Sequence, residues 1–228
     1  MNCGWREIRA ILRKEIRLEF RSRAGLIAAL LVPMLAVIAM GLASQREKPG
    51  PELAAGILTI TLLFGSISSL PRVIFIEEEQ QTFSLLRLQA PPTAIYWGKW
   101  LYAVMNQIVI GLVTSVLFVN MAHVEVKNPL FVVLFAVLSP LAVVSTIMLT
   151  GALVLGENNL WILGAVLSLP LLIPQTVMSI GVLRYGFGVG FAEGAWINAL
   201  SLLGYSFLAG YGGALIANSL WTRGSSRA

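Results

Sequence analysis

Six apolar runs, each close to the length of a membrane-spanning helix, dominate the sequence and limit what it can fold into. A helix needs about 20 apolar residues to cross the ~30 Å hydrocarbon core of a bilayer, and it satisfies its own backbone hydrogen bonds there. The sequence therefore predicts an all-α integral membrane protein with six transmembrane helices. The runs are approximately Leu26 to Ala43, Leu53 to Phe75, Trp100 to Met121, Leu130 to Leu155, Leu160 to Leu183 and Trp196 to Leu220.

Composition agrees with a membrane protein, because 57% of the 228 residues are apolar and only 12% are charged. The connections between the runs are short, so we expect a single domain over residues 1–228, with the six-span bundle over residues 24–220. The first 23 residues carry seven arginines and lysines and fit no secretory signal. With one cysteine, Cys3, the chain forms no internal disulfide, and with one histidine, His123, it offers little material for an active site.

The distribution of positive charge predicts the orientation of the bundle. Twelve of the sixteen lysines and arginines lie in the N-terminal segment, the 72–99 region and the C-terminal tail, and four lie in the connections on the other side. The positive-inside rule therefore places both termini and the 72–99 region in the cytoplasm. All six tryptophans fall at or beyond predicted helix ends, where indole rings favour the membrane interface.

The N-terminal segment, residues 1–23, has the pattern of an amphipathic helix. Apolar residues recur at spacings of three and four, and most arginines and lysines lie elsewhere on the helix. This pattern predicts a helix that lies in the inner membrane interface with its cations near anionic headgroups, rather than a nucleic-acid-binding helix. The apolar positions are Trp5, Ile8, Leu12, Ile16 and Phe20.

The connection between the second and third runs begins with three glutamates, Glu77, Glu78 and Glu79. Thr82 is a predicted N-cap, the glutamates lie near the positive end of the following helix dipole, and Pro91 with its neighbouring proline stops the helix. The sequence therefore predicts a short cytoplasmic helix from Thr82 to Ala90.

This short helix is apolar on two sides. Phe83, Leu86 and Ala90 share one side, and Leu85 and Leu88 share the opposite one. One side can pack on the membrane helices of the same chain, so the other needs a second partner. The glutamates disfavour an anionic lipid surface as that partner. We therefore expect a protein partner, with a loop lying on the membrane surface as the alternative.

Three stretches carry a resemblance to a known family: "LRKEIRLEFRSR" before the first span, "EEEQQTFSLLRLQAPPTAIYWGKW" after the second and "LSLPLLIPQTV" in the fifth. Together with the size and the topology, they make the chain similar to ABC-2-type export permeases, and within that group it resembles the heme exporter protein B family (CcmB) of the cytochrome c maturation system. The resemblance extends over nearly the whole chain.

The resemblance implies a membrane subunit that binds no cofactor itself. ATP would be bound by a separate cytoplasmic ABC ATPase, and heme would be handled by the complex, which includes a heme-handling membrane subunit and a second copy of this chain. The expected location is the inner membrane of a bacterial cell. The 77–92 segment would hold the coupling helix that receives the movement of the ATPase, with the leucines seated in a groove of the ATPase. The glutamates would pair with its basic residues or set the angle of the helix.

The chain departs from the family at Gln81, where members often have glycine, which affects where the coupling helix starts. The sequence itself agrees that any ATPase lies elsewhere, because it contains no G-x-x-x-x-G-K-[ST] motif. We therefore expect no catalysis by this chain alone.

Two further patterns lie in the last two spans. Pro170 and Pro174 are one turn apart in the fifth span, where they predict either a hinge used in transport or a static kink. Ala209, Gly213 and Ala217 form a small-xxx-small stripe in the sixth span, which permits close helix packing within the chain or between two copies.

Several other interpretations remain open at this point. His123 is a candidate heme ligand or a solvated loop residue. Arg72 either extends to the headgroups or pairs with Glu77 or Glu157. A glutamate-based intramembrane protease is disfavoured, because such a site also needs histidines from other spans and the chain has no aspartate. An ABC-2-type permease for a lipid, glycan or drug is the closer alternative.

Overall fold

The computed structural model describes residues 4–22, 24–45, 48–80, 82–156 and 159–223. Within these ranges the chain forms eight helices and no strand, which confirms the predicted all-helical class. The helices are α1 (Trp5–Ser22), α2 (Ala24–Ala43), α3 (Pro51–Glu79), α4 (Phe83–Gln89), α5 (Pro92–Met121), α6 (Pro129–Val154), α7 (Leu160–Gly186) and α8 (Ala192–Arg223).

Five helices, α3 and α5 to α8, are long and apolar enough to cross a membrane. The described part of α2 adds a shorter apolar stretch, Ala29–Ala43. These lengths and compositions agree with an integral membrane protein. The first of the six predicted spans, Leu26 to Ala43, stays a prediction.

One face of α2 carries the contacts that hold it to the bundle. Ala29, Pro33, Val37 and Gly41 are buried at intervals of four residues, whereas large side chains on the other side of the helix, such as Leu31, Leu35 and Ile38, are exposed. Small residues at this spacing allow close backbone approach in a membrane bundle. A methyl group placed on Gly65 of α3 would lie only 2.6 Å from Pro33, so the glycine is needed for this contact.

The helix α6 lies at the centre of the bundle, because it packs against α3, α5, α7 and α8. Buried apolar side chains form one cluster at the end of the bundle where α4 lies, here called the α4 end, and a second cluster towards the opposite end. The first includes Phe75, Phe83 and Ile95, and the second includes Phe118 and Phe135. The packing of the α4 end therefore fixes the surroundings of the short helix.

Helix α7 continues through both of its prolines. Pro170 and Pro174 lie inside the helix, on its outward, exposed side. Between them, the carbonyl oxygen of Leu171 accepts a hydrogen bond of 2.7 Å from the hydroxyl of Tyr205 in α8. This bond anchors α7 to α8 at the proline pair, and the predicted hinge stays a prediction.

The small-residue stripe of α8 packs inside the chain. Ala209, Gly213 and Ala217 are all buried, and Gly213 lies against the buried ring of Tyr96 in α5. A methyl group at Gly213 would lie 2.1 Å from the Tyr96 hydroxyl oxygen. Only glycine therefore allows α8 to approach α5 this closely.

We expect the substitution Gly213→Ala to destabilise the bundle by about 1–3 kcal/mol, because the added methyl group forces Tyr96 out of a packed site. Gly204→Ala in the same helix is the matched control, because a methyl group there meets nothing within 4 Å. The measurement is the thermal unfolding midpoint of each variant in mild detergent. Equal midpoints for the two variants would contradict the assigned packing.

Candidate functional site

The short helix α4 begins one residue after Thr82, which is bonded to the end of α3. The backbone N–H of Thr82 donates a 2.8 Å hydrogen bond to the carbonyl oxygen of Glu77, and the Thr82 hydroxyl donates a second, of 3.3 Å, to the same oxygen. The first bond spans six residues, as in a Schellman helix end. Gln81, at the departure from the family pattern, lies outside the described residues.

The structure confirms Thr82 as the N-cap residue of α4, but its side chain makes no cap hydrogen bond to this helix. The backbone of Thr82 is in the helical region, with φ −97° and ψ −5°, whereas a residue that caps through its side chain is typically extended. Its hydroxyl is directed instead to the carbonyl oxygen of Glu77 at the end of α3. The start of α4 is thus set by the end of α3.

The other end of α4 is set by the two prolines. Ala90 adopts an extended conformation, with φ −147° and ψ 146°, and Pro91 continues it. Pro92 is the first residue of α5, where its missing N–H costs nothing. As a result α4 has seven residues, Phe83–Gln89, and α5 starts almost at once.

The two sides of α4 differ in burial. Phe83 is buried against Trp221 of α8, with ring centroids 5.0 Å apart in an edge-to-face arrangement, and Leu86 is half-buried beside it. On the opposite side Leu85 is 59% exposed and Leu88 is 84% exposed. The described chain thus covers one apolar side of α4 and leaves the other uncovered.

A cluster of four charged side chains lies at the α4 end, where α1, α3 and α5 meet. Lys14 and Glu15 come from α1, Glu77 from the last turn of α3 and Lys99 from α5. Lys14 donates a hydrogen bond to Glu77 and lies 3.6 Å from Glu15. Two cations and two carboxylates make the cluster neutral as a whole, which is the condition under which charges are tolerated inside a protein.

Lys99 is the most enclosed member of the cluster, with 1% of the residue exposed. Its Nζ donates a 2.6 Å hydrogen bond to the carbonyl oxygen of Val73. Carboxylate oxygens of Glu77 and Glu15 lie 2.6 Å and 3.3 Å from the same nitrogen, as charge contacts rather than aligned hydrogen bonds. An ammonium group has three protons to place, and three oxygen atoms from α1 and α3 surround this one.

Helix α1 packs directly on α5 beside this cluster. Ile8 and Ile11 are buried, and Ile11 lies so close to Gly98 that a methyl group there would be 2.7 Å away. One turn further on, the Tyr102 hydroxyl donates a 2.9 Å hydrogen bond to Glu19. The inward face of α1 thus carries Ile8, Ile11 and Glu15. The apolar face predicted from the sequence begins at Trp5, but Trp5 is exposed, so the buried face is rotated around the helix relative to the predicted one.

The charges around Lys14 change its protonation equilibrium. Burial by itself lowers the pKa of Lys14. The hydrogen bond to Glu77 and the negative charges of Glu77 and Glu15 raise the pKa by more than burial lowers it, so the net shift is upward. A lysine whose pKa is raised by folding stabilises the folded state below its ordinary pKa near 10.5, and this stabilisation is lost as the pH rises through the folded value. Lys14 therefore carries its positive charge at physiological pH.

The three glutamates of the predicted coupling segment separate in the structure. The side chain of Glu77 is buried and paired within the chain, that of Glu78 is half-buried, and that of Glu79 lies outside the described part. The side chain of Arg72 and the residue Glu157 are also outside it, so the predicted Arg72 pairs remain predictions.

Sequence reasoning missed the partners of Glu77. Lys99 is the eighth residue of α5, and it entered the prediction only as one of the positive charges of the 72–99 region. Glu15 follows Ile11 by four residues and Ile8 by seven, which places it on the same helical face. A glutamate in line with buried isoleucines was the one signal that could have revealed a buried charge.

His123 lies in the loop after α5. It is exposed, and its backbone is left-handed, with a φ of 51°. Across the residues that the structure describes, no group of three or more His, Cys or Glu side chains is arranged to hold a metal ion.

Comparison with known proteins gave one family. The family model described as "CcmB protein" matches residues 6–210, which is most of the chain. A search of curated proteins found no match.

We expect Lys99→Met to destabilise the protein by about 3–5 kcal/mol, because it leaves buried carboxylates without their cation. Lys14→Met is the matched comparison. Its side chain is 38% exposed, so its loss is expected to cost about 1 kcal/mol or less. Unfolding of both variants in mild detergent, followed by tryptophan fluorescence, measures the difference. A larger loss for Lys14→Met would contradict this account of the cluster.

Proposed function

Because this chain belongs to the CcmB family, the heme exporter protein B family, we propose that it is the permease-like transmembrane subunit of an ABC complex for cytochrome c maturation. Proteins of this family are membrane permease subunits and not enzymes by themselves. A separate cytoplasmic ABC ATPase binds and hydrolyses ATP. This chain passes the resulting movement to heme export, or to the release of a heme-loaded chaperone.

The uncovered side of α4 is the observation that carries this proposal. Leu85 and Leu88 are exposed on a helix whose other side is held by Phe83 and Leu86. Large apolar side chains on a short helix outside the spanning segments are typical of a protein-binding surface. The ATPase covers these leucines, and α4 acts as the coupling helix of the 77–92 segment.

The glutamates then have different roles. Glu77 sets the angle of α4, because its buried carboxylate pairs with Lys14 and Lys99 of the same chain. A contact with basic residues of the ATPase is left to Glu78 and Glu79.

We infer the orientation from the number of spans and the distribution of charge. With six spans, of which α2 is the first, α4 and both termini lie on the same side of the membrane. The positive-inside rule assigns this side to the cytoplasm of a bacterial cell whose inner membrane holds the protein. Helix α1 lies in the inner interface. Four of its arginines are exposed, whereas Glu15 and Glu19 turn inward to Lys99 and Tyr102, so the outer face of α1 suits anionic headgroups. The exposed arginines are Arg6, Arg9, Arg13 and Arg17.

Heme is the cargo of the complex, and this chain supplies no ligand to its iron. The heme is handled together with a heme-handling membrane subunit, and the complex contains two copies of this chain. The exposed apolar surfaces of α7 and α8 leave room for lipid and for these membrane partners.

We expect Leu88→Glu and Leu85→Glu to abolish binding of the ATPase while membrane insertion stays unchanged, because each adds a charge to the uncovered side of α4. Leu86→Glu is a less specific change, because Leu86 also packs on the core. The measurement is the amount of ATPase that co-purifies with each variant.

Phe191→Glu is the matched control for this experiment. Phe191 is 86% exposed, and it lies in the loop before α8, on the side of the bundle opposite α4 in the proposed orientation. It introduces the same charge without touching the short helix. Normal recovery of the ATPase with Leu88→Glu would refute the assignment of α4 as the coupling helix.

Purification of the protein from its native membrane tests the cargo. We expect an ABC ATPase and a heme-bearing membrane protein to co-purify in mild detergent, with a heme absorption band in the sample. Mass spectrometry identifies the partners. An ATPase without any heme protein would indicate another cargo, such as a lipid or glycan, and no ATPase at all would refute the function of α4.

A further inference from the structure

Glu77, in the last turn of α3, connects the charged cluster to the residue that precedes α4. Its carboxylate contacts Lys14 and Lys99, and its carbonyl oxygen accepts the two hydrogen bonds from Thr82. The carbonyl oxygen of Thr82 in turn accepts the N–H of Leu86, at 3.1 Å, in the first turn of α4. A continuous chain of polar contacts therefore runs from α4 through one residue of α3 to α1 and α5.

The cluster resists separation of the helices that build it. Lys99 is fully enclosed, and its surrounding oxygen atoms come from Val73 and Glu77 of α3 and from Glu15 of α1. If Glu77 moved alone, a buried ammonium group would lose a carboxylate in a region that water does not reach. The parts of α1, α3 and α5 that form the cluster are therefore expected to move together.

The side chains of α4 itself hold it to the bundle through apolar contacts. Phe83 contacts the edge of Trp221 in α8, and this contact is apolar and has no charge. An apolar contact of this kind tolerates sliding, because it is not directional, whereas the ion pairs of Glu77 depend on position. The polar contacts through Glu77 are therefore better suited to transmit a displacement than the apolar contacts of Phe83 and Leu86.

We propose that the Lys14–Glu77–Lys99–Glu15 cluster is the joint that passes a displacement of α4 to α1 and α5, with Glu77 as its positioning residue. This inference rests on the proposed function, in which the ATPase displaces α4. It adds a specific path into the membrane: α5 is one of the spanning helices, and α1 leads directly into α2. Glu77 contacts neither ATP nor cargo in this role.

The test measures movement of α1 and α4 separately. Spin labels are attached to cysteines at Gln89 on α4 and at Arg13 on α1, each paired with a label at Ile162 on α7, after Cys3→Ser. All three positions are exposed, and α7 supplies the reference at the same end of the bundle. Distances are recorded in the ATPase complex, in lipid nanodiscs, with and without a non-hydrolysable ATP analogue.

Three backgrounds are compared with the otherwise unchanged chain. Glu77→Gln removes the charge at nearly constant shape, and Glu125→Gln makes the same change at an exposed residue of the loop after α5, away from Lys14 and Lys99. The double variant Glu77→Gln/Lys99→Met removes one charge of each sign and leaves Lys14 beside Glu15. The cluster of the double variant is neutral again, but it no longer contains the contact between Glu77 and Lys99.

We expect the analogue to change both distances in the unchanged chain and in Glu125→Gln. In Glu77→Gln and in the double variant, the distance to α4 still changes and the distance to α1 does not. Cytochrome c maturation in cells falls about tenfold in both of these variants, a size typical of a lost coupling contact, while the ATPase still co-purifies.

Two results would overturn the joint. If α1 moves in Glu77→Gln as it does in the unchanged chain, Glu77 transmits nothing. If the double variant recovers both stability and maturation, the cluster serves stability alone. Failure of the ATPase to bind the unchanged chain is a separate outcome, because it refutes the proposed function and the joint with it.

Discussion

The ammonium group of Lys99 is the point on which the α4 end of the structure depends. A charge enclosed to this degree is tolerated only where opposite charges and hydrogen-bond acceptors are in place, because the surrounding medium cannot solvate it. The Lys99 ammonium group donates a hydrogen bond to Val73 of α3, and its two carboxylate contacts are Glu77 of α3 and Glu15 of α1. The position of the N-terminal helix α1 therefore depends on the spanning helices. The position of α1, the end of α3 and the start of α4 all follow from satisfying this single group.

Away from the cluster, close packing and a few polar pairs hold the bundle together. Lipid is as apolar as the helix surfaces, so helix association in a membrane relies on van der Waals contact and interhelical hydrogen bonds. The α8 stripe on Tyr96 supplies the first. The second includes the hydrogen bond from Thr146 in α6 to Gln175 in α7, at 3.1 Å, and that from the indole of Trp100 in α5 to Ser145 in α6, also at 3.1 Å. Such contacts are directional, which gives the spans a defined register.

The sequence predicts those features that follow from periodicity and hydropathy. Apolar runs predict the long helices, and spacing alone separates the Phe83 side of α4 from the Leu88 side, because both depend only on residues close in the chain. The partners of Glu77 depend on contacts between residues far apart, which no local pattern records. Periodicity also counts Glu15 as polar and so turns the apolar face of α1 towards Trp5. In the structure Glu15 points inward, because Lys99 is there to meet it.

The uncovered leucines of α4 have a consequence for how the protein is made. Each large apolar side chain left in water forgoes roughly 1.5–3 kcal/mol of stabilisation, and Leu85 and Leu88 lie side by side on one surface. A chain without the ATPase that we propose to cover them presents this surface to other proteins in the cell, and an exposed apolar patch favours aggregation. On this proposal, the abundance of the chain is tied to that of the ATPase.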